Sequence, residues 1–237
     1  PASATAIYDA TGNASAASQS NNTATLNDKT VPTISSVSLA SDNSTIAVIF
    51  SEAVYTTTDA GFPVVGDFVF SISGGTATLS SATPSSISIS GNVYTLGISF
   101  SVTPDGSETL TVNPASATAI YDAGNNGAAA SQSNNTATLN DQTAPTISSV
   151  SLASDNSTIA VTFSEAVYTT TDAATALVVG DFAFSISGGT ATLTEENKTP
   201  SSISISGNVY TLGISLSGTP DGSETLTVNP ASATAIY

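Results

Sequence analysis

The sequence predicts an all-β protein made of more than one two-layer sandwich. Strand-favouring Val, Ile, Thr, Phe and Tyr are frequent and are interrupted by Gly, Pro, Asn, Asp and Ser, while strong helix formers other than Ala and Leu are scarce. Hydrophobic residues make up 40% of the 237-residue chain but aromatic residues only 6%. Each core must therefore be thin, as it is between two packed sheets.

A long internal repeat supports this prediction. Residues 33–60 return as residues 146–173 with a single substitution, Ile49 to Thr162, at an offset of 113 residues. The offset then grows to 114 and to 116, because the second copy is longer than the first at two places. Both length changes fall between strand-like runs, where loops tolerate insertions. A period of this length is too long for a solenoid repeat and matches one small sandwich domain.

The repeat predicts three segments. Residues 1–30 are the last strands of an upstream unit, residues 31–143 are a complete unit, and residues 144–237 are a unit truncated before its last strands. The octapeptide at residues 1–8 recurs at 114–121 and at 230–237, so we expect both ends to be cuts through a longer array. Short Pro-containing linkers would join neighbouring repeats of the same chain.

Apolar residues at a spacing of two predict the strands of the complete unit in order. Gly91-Asn92 predicts a hairpin turn, and the Ile49 to Thr162 substitution falls on the solvent face of its strand. Seven to nine strands per unit predict an immunoglobulin-like sandwich. The residues of the successive predicted strands are Ile34, Val37 and Leu39, with an irregularity at Ser35-Ser36; Ile46, Val48 and Phe50; Phe68, Phe70 and Ile72; Ile87 and Ile89; Val93–Leu96; Leu110 and Val112; Ala117–Tyr121; and Thr136–Leu139.

The charge balance limits the classes of partner. Eighteen acidic residues face two basic ones, Lys29 and Lys198, for a formal net charge of −16. Nucleic acid and anionic membranes are therefore poor partners, whereas divalent cations would relieve the repulsion between carboxylates. No apolar stretch approaches the roughly 18 residues of a membrane span, so direct membrane insertion is not expected.

The residues usual in catalysis are scarce. The chain has no His and no Cys, and neither lysine is matched in the other copy of the repeat. Carboxylate pairs such as Glu52 with Asp59, or Asp105 with Glu108, could in principle hydrolyse glycosides, but enzymes are rarely tandem near-duplicates. We therefore expect no catalytic residues, no organic cofactor and no enzymatic activity.

Several motifs resemble a known family. They are the junction around Asp28 and Pro32, the segment Thr45–Val54 with its Phe-Ser-Glu, and the loop Tyr8–Asn13. All are similar to the bacterial Ig-like tandem repeats of large adhesins, surface-layer-associated proteins and cyanobacterial motility-linked surface proteins, and the resemblance covers the whole chain. The loop Tyr121–Asn126 departs from the pattern, since its glycine is displaced by one residue. Either Asn125 or Asn126 could therefore be the counterpart of Asn13.

The resemblance implies a structural role outside the cell. We expect extender repeats of a secreted bacterial surface protein, an adhesin stalk or an extracellular fibre, with self-association into a fibre or layer as a further expectation. The alternative is a carbohydrate-binding module that mediates adhesion. Sugar sites usually stack the sugar on aromatic rings, and this chain has no Trp, so Tyr55, Tyr94 and Tyr121 are the available rings.

The topology of such a sandwich predicts a calcium site. In such a sandwich the second strand and the predicted strand that precedes Asp122 run the same way, so the loops that follow them emerge at the end where the first strand starts. Several oxygens on loops without His or Cys suit Ca²⁺, although acids at loop ends can also serve only solubility. The predicted ligands are Asp28, Glu52 and Asp122, with Asp59 and Asn125 or Asn126 in addition, and in the second unit Asp141, Glu165 and Asp172.

Overall fold

A computed structural model describes residues 2–56 and 61–237 of the chain. It divides into two compact units, residues 1–142 and residues 143–237, called unit 1 and unit 2 below. Both consist of antiparallel strands with a few short 3-10 helices, so the prediction of an all-β, sandwich-type fold is confirmed. Within the described residues, no helix is both long enough and apolar enough to cross a membrane.

Unit 1 contains two main sheets. The first has the order β1-β2-β6-β5 and the second the order β3-β8-β9, while β4 and β7 form a separate pair. A 3-10 helix, Val65–Asp67, precedes β3. The strands are β1 (Ile34–Leu39), β2 (Thr45–Phe50), β3 (Phe68–Ser73), β4 (Thr78–Leu79), β5 (Ile87–Ser90), β6 (Val93–Gly97), β7 (Phe100–Val102), β8 (Thr109–Pro114) and β9 (Thr136–Thr138).

The core of unit 1 lies between these two sheets. The rings of Phe50 and Tyr94 meet edge to face with centroids 5.5 Å apart, and Phe68 of the opposite sheet lies 6.3 Å from Phe50. Eight of the residues on which the strands were predicted face the core and are at most 2% exposed, which confirms the prediction of which side of each strand is buried. These residues are Ile46, Val48, Phe50, Phe68, Phe70, Leu96, Leu110 and Val112.

Two details of the strand prediction have different outcomes. The irregularity expected at Ser35-Ser36 is present, because the pairing of β1 with β2 shifts between Ile34 and Ser36. The strand expected at Ala117–Tyr121 is wrong. There the Ser116 hydroxyl accepts a hydrogen bond from the backbone N–H of Thr118, and the N–H of Ala119 bonds to the carbonyl of Ser116. Such local bonds favour a turn over a strand.

Unit 2 repeats this plan. One sheet has the order β10-β11-β14-β13 and the other pairs β12 with β15. The rings of Phe163, Phe182 and Tyr210 repeat the three-ring core of unit 1. The 3-10 helices are Val179–Asp181 and Glu195–Lys198, and the strands are β10 (Ile147–Leu152), β11 (Thr158–Phe163), β12 (Phe182–Ser187), β13 (Ile203–Ser206), β14 (Val209–Gly213) and β15 (Thr225–Pro230).

Candidate metal centre

Three acidic residues meet at one end of unit 1. Glu52 is the second residue after β2, which ends at the buried Phe50. The incoming segment that carries Asp28 is tied to the same end, because the N–H of Ser51 bonds to the carbonyl of Thr33 at 2.8 Å. Asp122 follows Tyr121, whose backbone exchanges two hydrogen bonds of 2.7 and 2.8 Å with that of Tyr55. The sandwich thus gathers one acid from each of three distant parts of the sequence.

The three carboxylates are close enough to share one ion. Each of Asp28, Glu52 and Asp122 offers an oxygen atom, and these atoms all lie within 4.8 Å of one another. Their exposure is graded, from the exposed Asp28 through the half-buried Glu52 to Asp122, which is only 2% exposed. Among the described residues, this is the one group of three or more acids whose oxygens meet in this way.

A tight loop holds Asp122 in place. The backbone N–H and the side-chain amide of Asn126 donate to the two carboxylate oxygens at 2.7 and 2.8 Å. The same amide donates to the carbonyl of Asp28 at 3.3 Å, which links the loop to the incoming segment. Asn125 between them adopts a left-handed conformation with φ of 62°. Asn and Gly are the residues that adopt this conformation most easily.

The loop around Asp9 has the same construction. The backbone N–H and side-chain amide of Asn13 donate to the carboxylate of Asp9 at 2.9 and 2.8 Å, and Gly12 has φ of 86°. Because Asn126 makes the bonds that Asn13 makes, Asn126 is its counterpart, and Asn125 takes the place of Gly12. This geometry decides between the two alternatives that the displaced glycine had left open.

The electrostatics of the cluster show strain between like charges. Partial burial raises the pKa of the Glu52 carboxyl above its ordinary value, and the negative charges of Asp122 and Asp28 raise it further. Hydrogen bonds lower the pKa of Asp28, the largest effect coming from the backbone N–H of Thr30, and the Lys29 charge adds a small effect in the same direction. Carboxylates that repel one another are destabilising unless a cation binds between them.

The donor set suits a hard divalent cation. Calcium binds six to eight oxygens at roughly 2.3–2.6 Å, so two oxygens on opposite sides of one ion lie up to about 5 Å apart. The separation of at most 4.8 Å between the three carboxylates fits that limit. Asp28, Glu52 and Asp122 would supply the charged ligands, and the remaining positions would be filled by backbone oxygens or water. Magnesium, which requires shorter bonds and stricter octahedral geometry, suits the set less well.

The other predicted ligands have varied positions. Asp59 lies outside the described residues. Asn125 lies in the Asp122 loop, with its backbone N–H bonded to the carbonyl of Asp122 at 3.2 Å. Asp141 belongs to unit 1, whereas Glu165 and Asp172 belong to unit 2. Asp172 is exposed, and its carboxylate accepts hydrogen bonds from the Thr170 hydroxyl at 2.6 Å and the Ala174 N–H at 3.2 Å.

Sequence reasoning missed the role of one acid in each unit. Glu108 is fully buried, and its carboxylate accepts backbone N–H bonds from Thr76 at 2.9 Å, Ala77 at 2.8 Å and Asp105 at 3.2 Å. Glu224 of unit 2 makes the equivalent bonds to Thr190, Ala191 and Asp221. The available signal was the recurrence of Gly-Gly-Thr-Ala and Pro-Asp-Gly-Ser-Glu in both copies. Glu108 thus fastens two turns together.

Comparisons with known proteins give one structural match and no family. No protein-family model matches the sequence, and no curated protein matches it. The chain is similar in structure to the N-terminal part of the bacterial S-layer protein SbsC, with 18% sequence identity and a TM-score of 0.36. The match covers 85% of this chain and 44% of that structure, so the chain spans less than half of its length.

Proposed function

We propose that these repeats are structural extenders of a secreted bacterial surface protein, an adhesin stalk or an extracellular fibre, stiffened by calcium. The observation that carries the proposal is the Asp28, Glu52 and Asp122 cluster, because it joins the incoming segment to the end of a sandwich. An ion held there would convert a free linker into a fixed connection. A sandwich of this size is roughly 40 Å long, so stiff connections between repeats would project a chain far from its anchor.

The pattern of the two units supports an extended, passive role. Both have the same three-ring core and the same glutamate that fastens two turns. The two length changes between them lie between strands, and a substitution within a strand, Ile49 to Thr162, falls at a partly buried position. A protein that extends away from its anchor can be built from repeated copies of one domain. Self-association of several such chains would produce a fibre or a layer.

The calcium part of the proposal predicts a specific stabilisation. Calcium at about 100 times its dissociation constant stabilises the folded state by about 2.7 kcal/mol, which corresponds to a rise in the melting temperature of unit 1 on the order of 10 °C. Calorimetry with millimolar calcium and then with chelator measures this rise. We expect Glu52→Gln to abolish the response and to raise the melting temperature of the calcium-free unit 1, since it removes one repelling charge.

Matched controls separate binding from general screening of charge. Glu196→Gln removes one exposed acid from unit 2 and should leave the calcium response of unit 1 unchanged. Magnesium at the same concentration should stabilise less than calcium. X-ray scattering of the whole chain should give a larger maximum dimension with calcium than with chelator. An unchanged dimension together with an unchanged melting temperature would rule out the calcium-stiffened extender.

The second candidate function, carbohydrate binding, has one observation in its favour. Phe62 is 68% exposed, and its ring lies 6.5 Å from that of Tyr55, beside a surface depression that Ala53 and Ile89 also line. A glycan array would show binding by the native chain that is lost in Phe62→Ala, Tyr55→Ala or Tyr121→Ala. Unit 2 has no counterpart of Phe62, so binding of this kind would be confined to unit 1.

A further inference from the structure

One edge strand of unit 1 has unpaired backbone groups. β5 is the last strand in the order β1-β2-β6-β5 and pairs only with β6. The Ser86 carbonyl, just before β5, accepts a hydrogen bond from the N–H of Gly97 on β6 at 2.9 Å. Residues of an antiparallel pair direct their backbone groups alternately toward the partner strand and away from it. The N–H and carbonyl groups of Ile87 and Ile89 therefore point away from β6, and within the described residues they have no hydrogen-bond partner.

Two other sheet edges of unit 1 are occupied. The pairing of β1 with β2 is irregular between Ile34 and Ser36, and the Ile34 N–H bonds to the side-chain oxygen of Gln132 at 2.9 Å. On the edge strand β3, the Phe70 N–H bonds to the carbonyl of Ala82 at 2.7 Å. Irregular pairing and covering contacts of this kind protect a strand edge from another chain. Among the described residues, nothing protects β5 in this way.

The free edge of unit 1, residues 86–90, lies in an uncharged part of a strongly acidic chain. The formal net charge is −16, yet residues 68–104 contain no Asp, Glu, Lys or Arg. The side chains of Ser88 and Ser90 are exposed, while Ile87 and Ile89 pack against the core. Copies of an acidic chain repel one another at surfaces that carry the charge. An uncharged edge is therefore a place where two copies can approach with little repulsion.

Unit 2 has the same free edge at residues 202–206. Residues 199–215 are identical in sequence to residues 83–99, and residues 199–220 again contain no charged residue. β13 pairs only with β14, and the N–H of Gly213 bonds to the Ser202 carbonyl at 2.9 Å, as in unit 1. The backbone groups of Ile203 and Ile205 therefore point away from β14, and Ile205 is 44% exposed. The free edge thus belongs to the repeat and not to one unit.

We propose that the free edge of one copy of this chain pairs antiparallel with the free edge of a second copy. The proposed register places the two Ser88 residues opposite each other at a two-fold axis, and Ile87 of each copy opposite Ile89 of the other. Each pair of isoleucines would exchange backbone N–H and carbonyl hydrogen bonds, which joins two sheets into one. Serine hydroxyls meet on one face and isoleucine side chains on the other, so the paired strands bring no charges together.

The contact is isologous, because the same strand is used on both sides. β5 is short, so a single pair of edges binds weakly, and the edges of both units would strengthen the association through multivalency. Because the two free edges have the same sequence, either edge of one chain fits either edge of another. The inference deepens the proposed extender function and rests on it, since it identifies the surface through which extender chains would associate into a fibre or layer. It does not depend on calcium.

Charge variants at the two-fold axis test the pairing. Ser88→Lys combined with Ser204→Lys places like charges opposite each other, and so does Ser88→Glu combined with Ser204→Glu. With chelator present, sedimentation should show concentration-dependent association of the native chain and at least about tenfold weaker association of each variant alone. An equimolar mixture of the two variants should associate again, because Lys then faces Glu. The matched control, Ser71→Lys with Ser185→Lys, makes the same change in net charge at exposed serines of β3 and β12 and should associate at least as strongly as the native chain.

Hydrogen exchange of single amides identifies the surface that is used. The outward-facing isoleucine N–H groups of the free edges should exchange at least about tenfold more slowly in concentrated than in dilute native chain, while that of Ser88, already bonded to β6, should change little. Because the substituted serines are exposed, all variants should keep the native melting temperature, which separates a lost contact from lost folding.

A native chain that stays monomeric at millimolar concentration would overturn the proposal. Association that the Lys variant retains in full, or that leaves the isoleucine amides unprotected, would overturn it as well. Each of these results would leave the calcium response of unit 1 intact, so none would count against the calcium-stiffened extender.

Discussion

At the scale of the residue, alternation along a strand determines which side chains are critical. Phe50 and Ile49 are neighbours in β2, yet Phe50 is buried among the rings of Tyr94 and Phe68 whereas Ile49 is only partly buried. The sequence shows this directly, because unit 2 keeps Phe163 but replaces Ile49 by Thr162. Period-two patterns are predictable because side chains on a strand point alternately to opposite faces.

Phe50→Ala should destabilise unit 1 strongly. Removing a fully buried ring leaves a cavity that the two sheets cannot fill, and such changes cost about 3–5 kcal/mol. Urea unfolding followed by circular dichroism measures the loss of free energy of unfolding. Ile49→Thr, the exchange already present in unit 2, is the matched control and should be nearly neutral. A loss below about 1 kcal/mol for Phe50→Ala would contradict the observed packing.

Two residues of the candidate site could not be assigned from the sequence. Asn125 and Asn126 are the same type of residue at adjacent positions, and only the structure shows that Asn126 is the one that donates to the Asp122 carboxylate. Asp28, Glu52 and Asp122, in contrast, could be grouped by strand direction, and the cluster forms although a turn and isolated bridges at Tyr121 replace the strand expected before Asp122. Strand topology thus predicts which loops lie close together, whereas the hydrogen bonds of single residues are seen only in the structure.

At the scale of the element, one sequence adopts two structures. Thr-Ala-Thr-Leu-Asn forms β9 and the two residues after it at residues 136–140, but residues 23–27 with the same sequence form no strand. Strand formation depends on a partner strand and on burial of one face, and both are outside the segment itself. Local sequence therefore predicts that a segment can form a strand, while the presence of a sheet edge decides whether it does.

Glu108→Ala should destabilise unit 1 by on the order of 3 kcal/mol, because it leaves the buried N–H group of Ala77 and the N–H group of Thr76 without their acceptor. Glu108→Gln keeps one acceptor oxygen and should cost less. Hydrogen exchange read by mass spectrometry resolves the effect by unit, and we expect faster exchange at residues 74–78 and 104–108. If exchange in these turns stays unchanged, the fastening role of Glu108 is incorrect.

Gly75→Ala should weaken the same hydrogen-bonded link between the two turns, because Gly75 lies in the turn that Glu108 binds. Gly75 has φ of 51°, and a Cβ atom there would overlap the Glu108 carboxylate. A left-handed conformation alone costs a residue with a side chain roughly 1–2 kcal/mol, and displacement of Glu108 adds to this. Gly91→Ala, at a glycine with φ of 59° and open space around it, is the control that isolates the backbone effect. Urea unfolding should show a clearly larger loss of stability for Gly75→Ala, and equal losses would mean that the Glu108 contact is unimportant.

At the scale of the whole molecule, the net charge of −16 and the hydrogen-bonded carboxylates have opposite effects on acid stability. Protonation of the carboxylates at low pH relieves the repulsion between them. It also weakens the hydrogen bonds that individual carboxylates accept within turns. The side-chain hydroxyls of Ser44 and Ser157 are the largest cause of the lowered pKa values of Asp42 and Asp155, one in each unit. Local bonds of this kind recur in both units, so they belong to the repeat and not to one site.

We expect the stability of unit 2 to fall as the pH decreases from about 4.5 to about 2. Backbone hydrogen bonds, first of all that from Ala191, lower the pKa of Glu224 to about 2. A carboxyl whose pKa is lowered on folding stabilises the fold above its ordinary pKa, and this contribution is lost as the pH falls through the folded value. Urea midpoints of the whole chain at pH 6, 4, 3 and 2.5, resolved by unit with hydrogen exchange, measure how the stability of unit 2 changes with pH.

Glu224→Gln should lower the midpoint of unit 2 at pH 6 and flatten its dependence on pH, whereas the exposed Glu196→Gln should do neither. A midpoint of unit 2 that rises steadily down to pH 2.5 would show that relief of the net charge outweighs the bonds of Glu224.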